Sequence, residues 1–158
     1  MEDQRMPARQ FLRVFLDTSV WVAGIVSEKG AAREILRLTE AGLLEVTISE
    51  QVIVELDRVM NAKFPELVPE VRGFLKAVKP QAVDDPPEKE IRPYRTVLEA
   101  GDASILAAAD LEKVDYLVTW DRNDFLKGNA QKLAKCRIVD PGEFLRVFRE
   151  YLGSMADL

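Results

Sequence analysis

Five carboxylates stand where an acid has to be accounted for. Asp17 directly follows the apolar run Val14-Phe15-Leu16 and precedes Val20-Trp21-Val22. Glu55 shares a stretch with Val52, Leu56 and Val59, and at about 100° per residue it falls on the edge of their apolar helical face. Asp102 stands on the same face as Ile105, Leu106 and Ala109, where an unpaired carboxylate is costly. Asp121 and Asp124 lie in Thr119-Trp120-Asp121-Arg122-Asn123-Asp124-Phe125, a polar segment after another apolar run. Each also has an ordinary role open to it: a helix cap for Asp17 and Asp102, a surface ion pair with Arg58 or Lys63 for Glu55, a turn for Asp121 and Asp124.

Brought together without counter-charge, these acids would repel one another and destabilise the fold. Mg²⁺ or Mn²⁺, which prefer oxygen ligands, would offset that repulsion. Such an ion lowers the pKa of a bound water and stabilises charge on a phosphate, so a phosphodiester can be hydrolysed without histidine. That matters because the chain has no histidine at all. Ser-His-Asp and Cys-His nucleophilic sites, histidine bases and histidine-ligated zinc are thereby excluded. Cys136 is the only cysteine, which excludes an internal disulfide and a thiolate zinc site, and it reads as a buried, inert thiol. The net charge of −5 speaks against binding nucleic acid by bulk electrostatics, although metal ions in an acidic site would reverse the local field.

The elements that must position these acids alternate in type. Arg13 to Leu16 reads as a short buried strand, followed by a helix that Thr18 or Ser19 can cap. Ala31 to Glu40 is an amphipathic helix closed by Gly42, Leu44 to Ile48 a strand, and Ser49 caps a helix over Glu50 to Ala62. Pro65 to Lys79 reads as one further helix, Gln81 to Val83 as a weak strand, and Asp84 to Pro93 as a loop. Gly101-Asp102 opens a nearly all-apolar helix, Asp115 to Thr119 is a buried strand, and Trp120 to Gly128 a loop at its end. Arg137 to Val139 is the last strand, before a helix capped by Asp140-Pro141-Gly142-Glu143. The class is therefore α/β, with a parallel sheet covered on both faces. Ligands of such sheets sit beyond the carboxyl ends of the strands, which is where Asp17 and Asp121 fall.

At these residues the sequence resembles PIN-domain nucleases, among them the VapC-like toxins of toxin–antitoxin pairs. The resemblance runs from Val14 to about Phe148. It is carried by Val14-Phe15-Leu16-Asp17-Thr18-Ser19, Ser49 to Leu56, Asp102 to Ala109, Tyr116 to Asp121, and Ile138 to Leu145, in that order and spacing. It implies a three-layer α/β/α fold with a central parallel sheet flanked by helices. It also implies acids that bind Mg²⁺ or Mn²⁺ to cut single-stranded RNA. On this resemblance Asp17, Glu55 and Asp102 match the family's three core acids and Asp121 the usual fourth, with Asp124 as a further metal ligand. Ser19 matches a polar position beside the first acid, and Thr119 a hydroxyl that steadies the fourth. Glu99 stands where related sequences often carry an aspartate-rich run. Trp120 replaces what is commonly a small or basic residue; a packing role is favoured there over stacking on a base.

A receiver domain would need an acidic pair at the first strand, and a haloacid-dehalogenase-type phosphatase a second aspartate at position 19, where Ser19 stands. The rival from another class is a non-catalytic PIN-like scaffold that binds RNA or a protein. One domain over residues 11–152 is expected, with flexible termini at 1–10 and 153–158. No apolar run approaches the roughly 18 residues of a membrane span, and Met1 to Gln10 does not look like a signal peptide, so a cytoplasmic protein is expected. Its expected partners are an RNA substrate, an antitoxin protein, and a second copy paired through Val20 to Val26 or Leu67 to Val78. Arg122, Lys127, Lys132 and Lys135 are candidates for phosphate contacts, with a solvated face favoured for most of them.

Overall fold

The computed structural model describes residues 11–126 and 128–156. Among these, five strands form one parallel sheet in the order β3-β2-β1-β4-β5: β1 (Leu12–Leu16), β2 (Leu44–Ser49), β3 (Gln81–Val83), β4 (Tyr116–Val118) and β5 (Arg137–Val139). Short, strongly apolar strands suit a sheet covered on both faces, and Val14, Phe15, Leu16, Leu117 and Val118 are fully buried. β1 is central, pairing Val14 with Val46 on one side and with Tyr116 on the other. The chain lays β2 and β3 to one side of β1 and then crosses to add β4 and β5 on the other. The order therefore reverses between β1 and β4, and such a reversal opens a crevice at the carboxyl ends of the two strands.

The α-helices of the described residues flank the sheet: α1 (Thr18–Val26), α2 (Ala31–Glu40), α3 (Glu50–Lys63), α4 (Val68–Val78), α5 (Glu88–Ile91), α6 (Ala100–Leu111), α7 (Asn129–Leu133) and α8 (Pro141–Ala156). Their ends follow local chemistry. Ser49 accepts the Val52 N–H at 3.4 Å to cap α3, and Asp140 accepts the Glu143 N–H at 2.8 Å at the start of α8. Lys79, at φ 53°, ends α4 in the left-handed region.

Several details differ from the sequence-based expectation. Asp17, not Thr18 or Ser19, occupies the N-cap of α1. Pro65 opens a separate 3₁₀ turn, Pro65–Leu67, before α4, because Pro69 has no N–H to donate to Pro65 O; the Val68 N–H bonds there instead, and the helix restarts with Pro69 in its first turn. The expected loop over Asp84 to Pro93 contains α5 and leads into a 3₁₀ turn, Arg92–Thr96, anchored by buried Ile91, Tyr94 and Leu98. Their spacing of three and four residues is the legible sign of it. Trp120 to Gly128 is not simply a loop: Arg122–Leu126 winds into a π-helical turn, held by buried Phe125. α8 runs past residue 152 to Ala156, while residues 1–10, Lys127 and residues 157–158 lie outside the described residues.

Among the described residues, no helix is long and apolar enough to cross a membrane. The stretch expected to serve self-association, Val20 to Val26, turns Val20, Trp21 and Ile25 into the core.

Candidate metal centre

Asp17 is the residue that leaves β1. Its N–H donates to Val118 O at 2.9 Å, which ties it to the end of β4. Although it sits at the N-cap of α1, its side chain makes no capping hydrogen bond. Instead Oδ2 accepts from two hydroxyls, Ser19 Oγ at 2.9 Å and Thr119 Oγ1 at 2.8 Å. Thr119, fully buried, also accepts the Asp121 N–H at 2.9 Å, so one hydroxyl links the first and fourth acids. Burial raises the proton affinity of Asp17 above that of an ordinary aspartate. The Thr119 and Ser19 hydroxyls and the Thr18 N–H counter this, and Glu55 adds to it.

Glu55 reaches the same place from α3. It pairs with neither Arg58 nor Lys63; its Oε1 accepts from Thr18 Oγ1 at 2.8 Å and its Oε2 from Gln51 Nε2 at 2.7 Å. Thr18 and Gln51 are hydrogen-bond partners of Glu55 that the sequence-based reading misses. Gln51 lies one helical turn before Glu55, and that spacing is the available signal. Gly101 lets α6 approach: a Cβ there would lie 2.9 Å from Glu55 Oε2 and 3.3 Å from Gln51 Nε2.

Asp102 stands in the first turn of α6, past the N-cap residue Glu99. Among the described residues, the charged groups that act on its carboxylate are other carboxylates. Its pKa is pushed up to about 7, first by burial and then by Asp17, Asp121, Asp124 and Glu55. Asp110, about two turns further along α6, shows the contrast within one helix. It is buried as well but fully provided for, accepting from Tyr94 Oη at 2.6 Å and from the N–H groups of Lys135 and Cys136 at 3.1 and 2.9 Å. Asp110 is therefore a structural acid. Burial, together with the Asp110 charge, pushes the Cys136 thiol upward, consistent with an inert cysteine.

Asp121 and Asp124 come from the segment beyond β4, with the Asp124 N–H donating to Asp121 Oδ1 at 2.9 Å. The turn role expected of these two acids is therefore present, and it brings them to Asp102. Oxygen atoms of Asp102, Asp121 and Asp124 lie within 4.8 Å of one another. Asp121 foremost, then burial, raises the proton affinity of Asp124, and Glu99 contributes through its charge.

Asp17, Glu55, Asp102 and Asp121 line one open cleft of about 610 Å³ at the switch point of the sheet; Asp124 adjoins it through Asp102 and Asp121. Among the described residues, the cation lining the cleft is Lys63, and the apolar wall includes Val22, Val26 and Val59. Arg122, Lys132 and Lys135 do not line it; Arg122 instead lies 3.9 Å from Asp140. Trp120 does line it, 40% exposed and outside the apolar core. An all-oxygen set of crowded carboxylates, several of them with raised proton affinity, suits a hard divalent cation.

The family model described as PIN domain matches residues 13–123. No curated protein sequence matches the chain significantly. Among solved structures, a chain of VapBC2 from Rickettsia felis, bound to a DNA fragment from their promoter, is similar with a TM-score of 0.63 and 18% identity, over 82% of this chain and 98% of that one. PAE2754 from Pyrobaculum aerophilum has a TM-score of 0.63 and 18% identity, over 88% and 90%. VapC20 from Mycobacterium tuberculosis, a Sarcin-Ricin loop cleaving toxin, has a TM-score of 0.54 and 15% identity, over 73% and 95%. At these identities the likeness is one of fold.

Proposed function

The chain belongs to the PIN domain family, and from that premise we propose that it is a metal-dependent endoribonuclease acting on single-stranded RNA. The observation that carries this reading is the sharing of one cleft by Asp17, Glu55, Asp102 and Asp121, which come from four separate segments. In this reading the four acids, with Asp124, hold Mg²⁺ or Mn²⁺. Such an ion, when bound, would supply an activated water and charge stabilisation at the phosphate. Ser19 and Thr119 orient Asp17, Thr18 and Gln51 orient Glu55, and the remaining carboxylate oxygens are available to position the attacking water.

VapBC complexes among the structural neighbours support an antitoxin partner and the toxin role. A groove of about 180 Å³ between α3 and α4, lined by Ile53, Met60, Val68, Val71 and Leu75 among others, offers an apolar face to such a partner or to a second copy. The cytoplasm is the compartment this role requires.

The test is cleavage of a short single-stranded RNA with Mg²⁺, with Mn²⁺ and with chelator. Asp102→Asn should lower cleavage by about a hundredfold or more while retaining the fold. Full activity in chelator, or in Asp102→Asn, would overturn the reading; RNA binding without cleavage under every condition would favour the scaffold.

A further inference from the structure

We propose that Trp120 is the platform on which an unpaired nucleobase stacks beside the acids, with Lys63 taking a neighbouring phosphate. This rests on the nuclease reading above and names how that site would hold its substrate. The two tryptophans divide sharply: Trp21 is fully buried, whereas Trp120 is 40% exposed. Isolated exposed apolar side chains are ordinary on a protein surface. This one, however, lines the same cleft as Asp17, Asp102 and Asp121.

Its backbone is fixed from both sides. The Thr119 N–H donates to Val139 O at 3.0 Å, and the Trp120 N–H donates to Ser19 Oγ at 3.1 Å. Ser19 Oγ in turn donates to Asp17 Oδ2 at 2.9 Å. The hydrogen bonds that orient the first acid therefore also hold the backbone from which the indole projects, and so fix where along the cleft it is presented.

Charge points the same way. The chain carries a net charge of −5, and among the described residues Lys63 is the cation lining the cleft, so phosphate contacts alone give little affinity. Stacking on an aromatic ring supplies affinity without charge and tolerates any base, but it needs a free base face. Paired and stacked bases in a duplex do not offer one, so the platform selects single strands.

Binding is read by tryptophan fluorescence in an Asp102→Asn background, which keeps the strand intact. A short single-stranded RNA should quench the exposed indole, and the same RNA annealed to its complement should not. Trp120→Ala should weaken binding by about 5- to 150-fold, with Trp120→Phe retaining most of it and the melting temperature unchanged. Lys63→Ala should flatten the salt dependence by about 0.7 in log–log slope. Equal affinity of the Trp120→Ala protein, or equal quenching by the duplex, overturns the proposal.

Kinetics separate it from the reading it rests on. If the native protein cleaves and Trp120→Ala leaves KM and kcat unchanged, the platform fails and the nuclease stands. If the native protein binds and is quenched but never cleaves, the nuclease fails and the platform stands.

Discussion

Asp102 and Asp110 lie on one helix and differ in what surrounds them. Asp110 has donors for its oxygens, whereas Asp102 faces other acids and has its pKa pushed up to about 7 by burial first and by those acids second. In the unfolded chain Asp102 would titrate near the usual value of about 4. The folded state thus binds this proton more tightly, so the group's stabilising contribution is complete below about pH 4 and is lost as pH rises through about 7. A shift of that size corresponds to about 4 kcal/mol unscreened, and solvent screening of a partly exposed carboxylate reduces the expected loss to about 1–2 kcal/mol. In chelator, the native protein should melt lower at about pH 8 than at about pH 5, and Asp102→Asn should remove much of that difference. Parallel melting curves for the two proteins across this range would show that Asp102 binds its proton no more tightly in the folded chain than in the unfolded one.

At the scale of elements, the cleft depends on how closely α6 approaches α3. Gly101 allows the approach, since a Cβ there would press on the ends of Glu55 and Gln51 rather than on backbone. Flexible side-chain ends can move aside, and alanine favours a helix over glycine by up to about 1 kcal/mol. Gly101→Ala should therefore leave thermal stability equal or slightly higher. Displacing Glu55 should nevertheless lower RNA cleavage by on the order of 10- to 100-fold. Melting and cleavage measured on the same preparation check this, and full activity would show that the position of Glu55 is not critical.

For the whole molecule, the sheet order brings the ends of β1 and β4 side by side and so places Asp17 next to Thr119 and Asp121. An ion held there binds the folded chain and not the dispersed acids of the unfolded one. Mn²⁺ at about 100 times its dissociation constant should therefore stabilise the protein by about 3 kcal/mol. For a chain of this size each kcal/mol raises the melting temperature by about 2–4 °C. Asp102→Asn should blunt the rise, and an identical rise in that variant would place the ion elsewhere.

The sequence by itself determined the alternation of strands and helices, because apolar periodicity is a local property, and it marked Asp17, Glu55 and Asp102 as anomalous against their apolar neighbours. It also excluded histidine chemistry, an internal disulfide and a thiolate zinc site. Short segments read less well: the π-helical turn at Arg122–Leu126 depends on Phe125 finding a core that local sequence does not display, and α5 is marked only by the spacing of Ile91, Tyr94 and Leu98. The convergence of Asp17, Glu55, Asp102 and Asp121 was decided only in three dimensions, since it follows from strand order and helix approach. So was the difference between Trp21 and Trp120: both follow apolar runs closely in the chain, but only one of them meets the core.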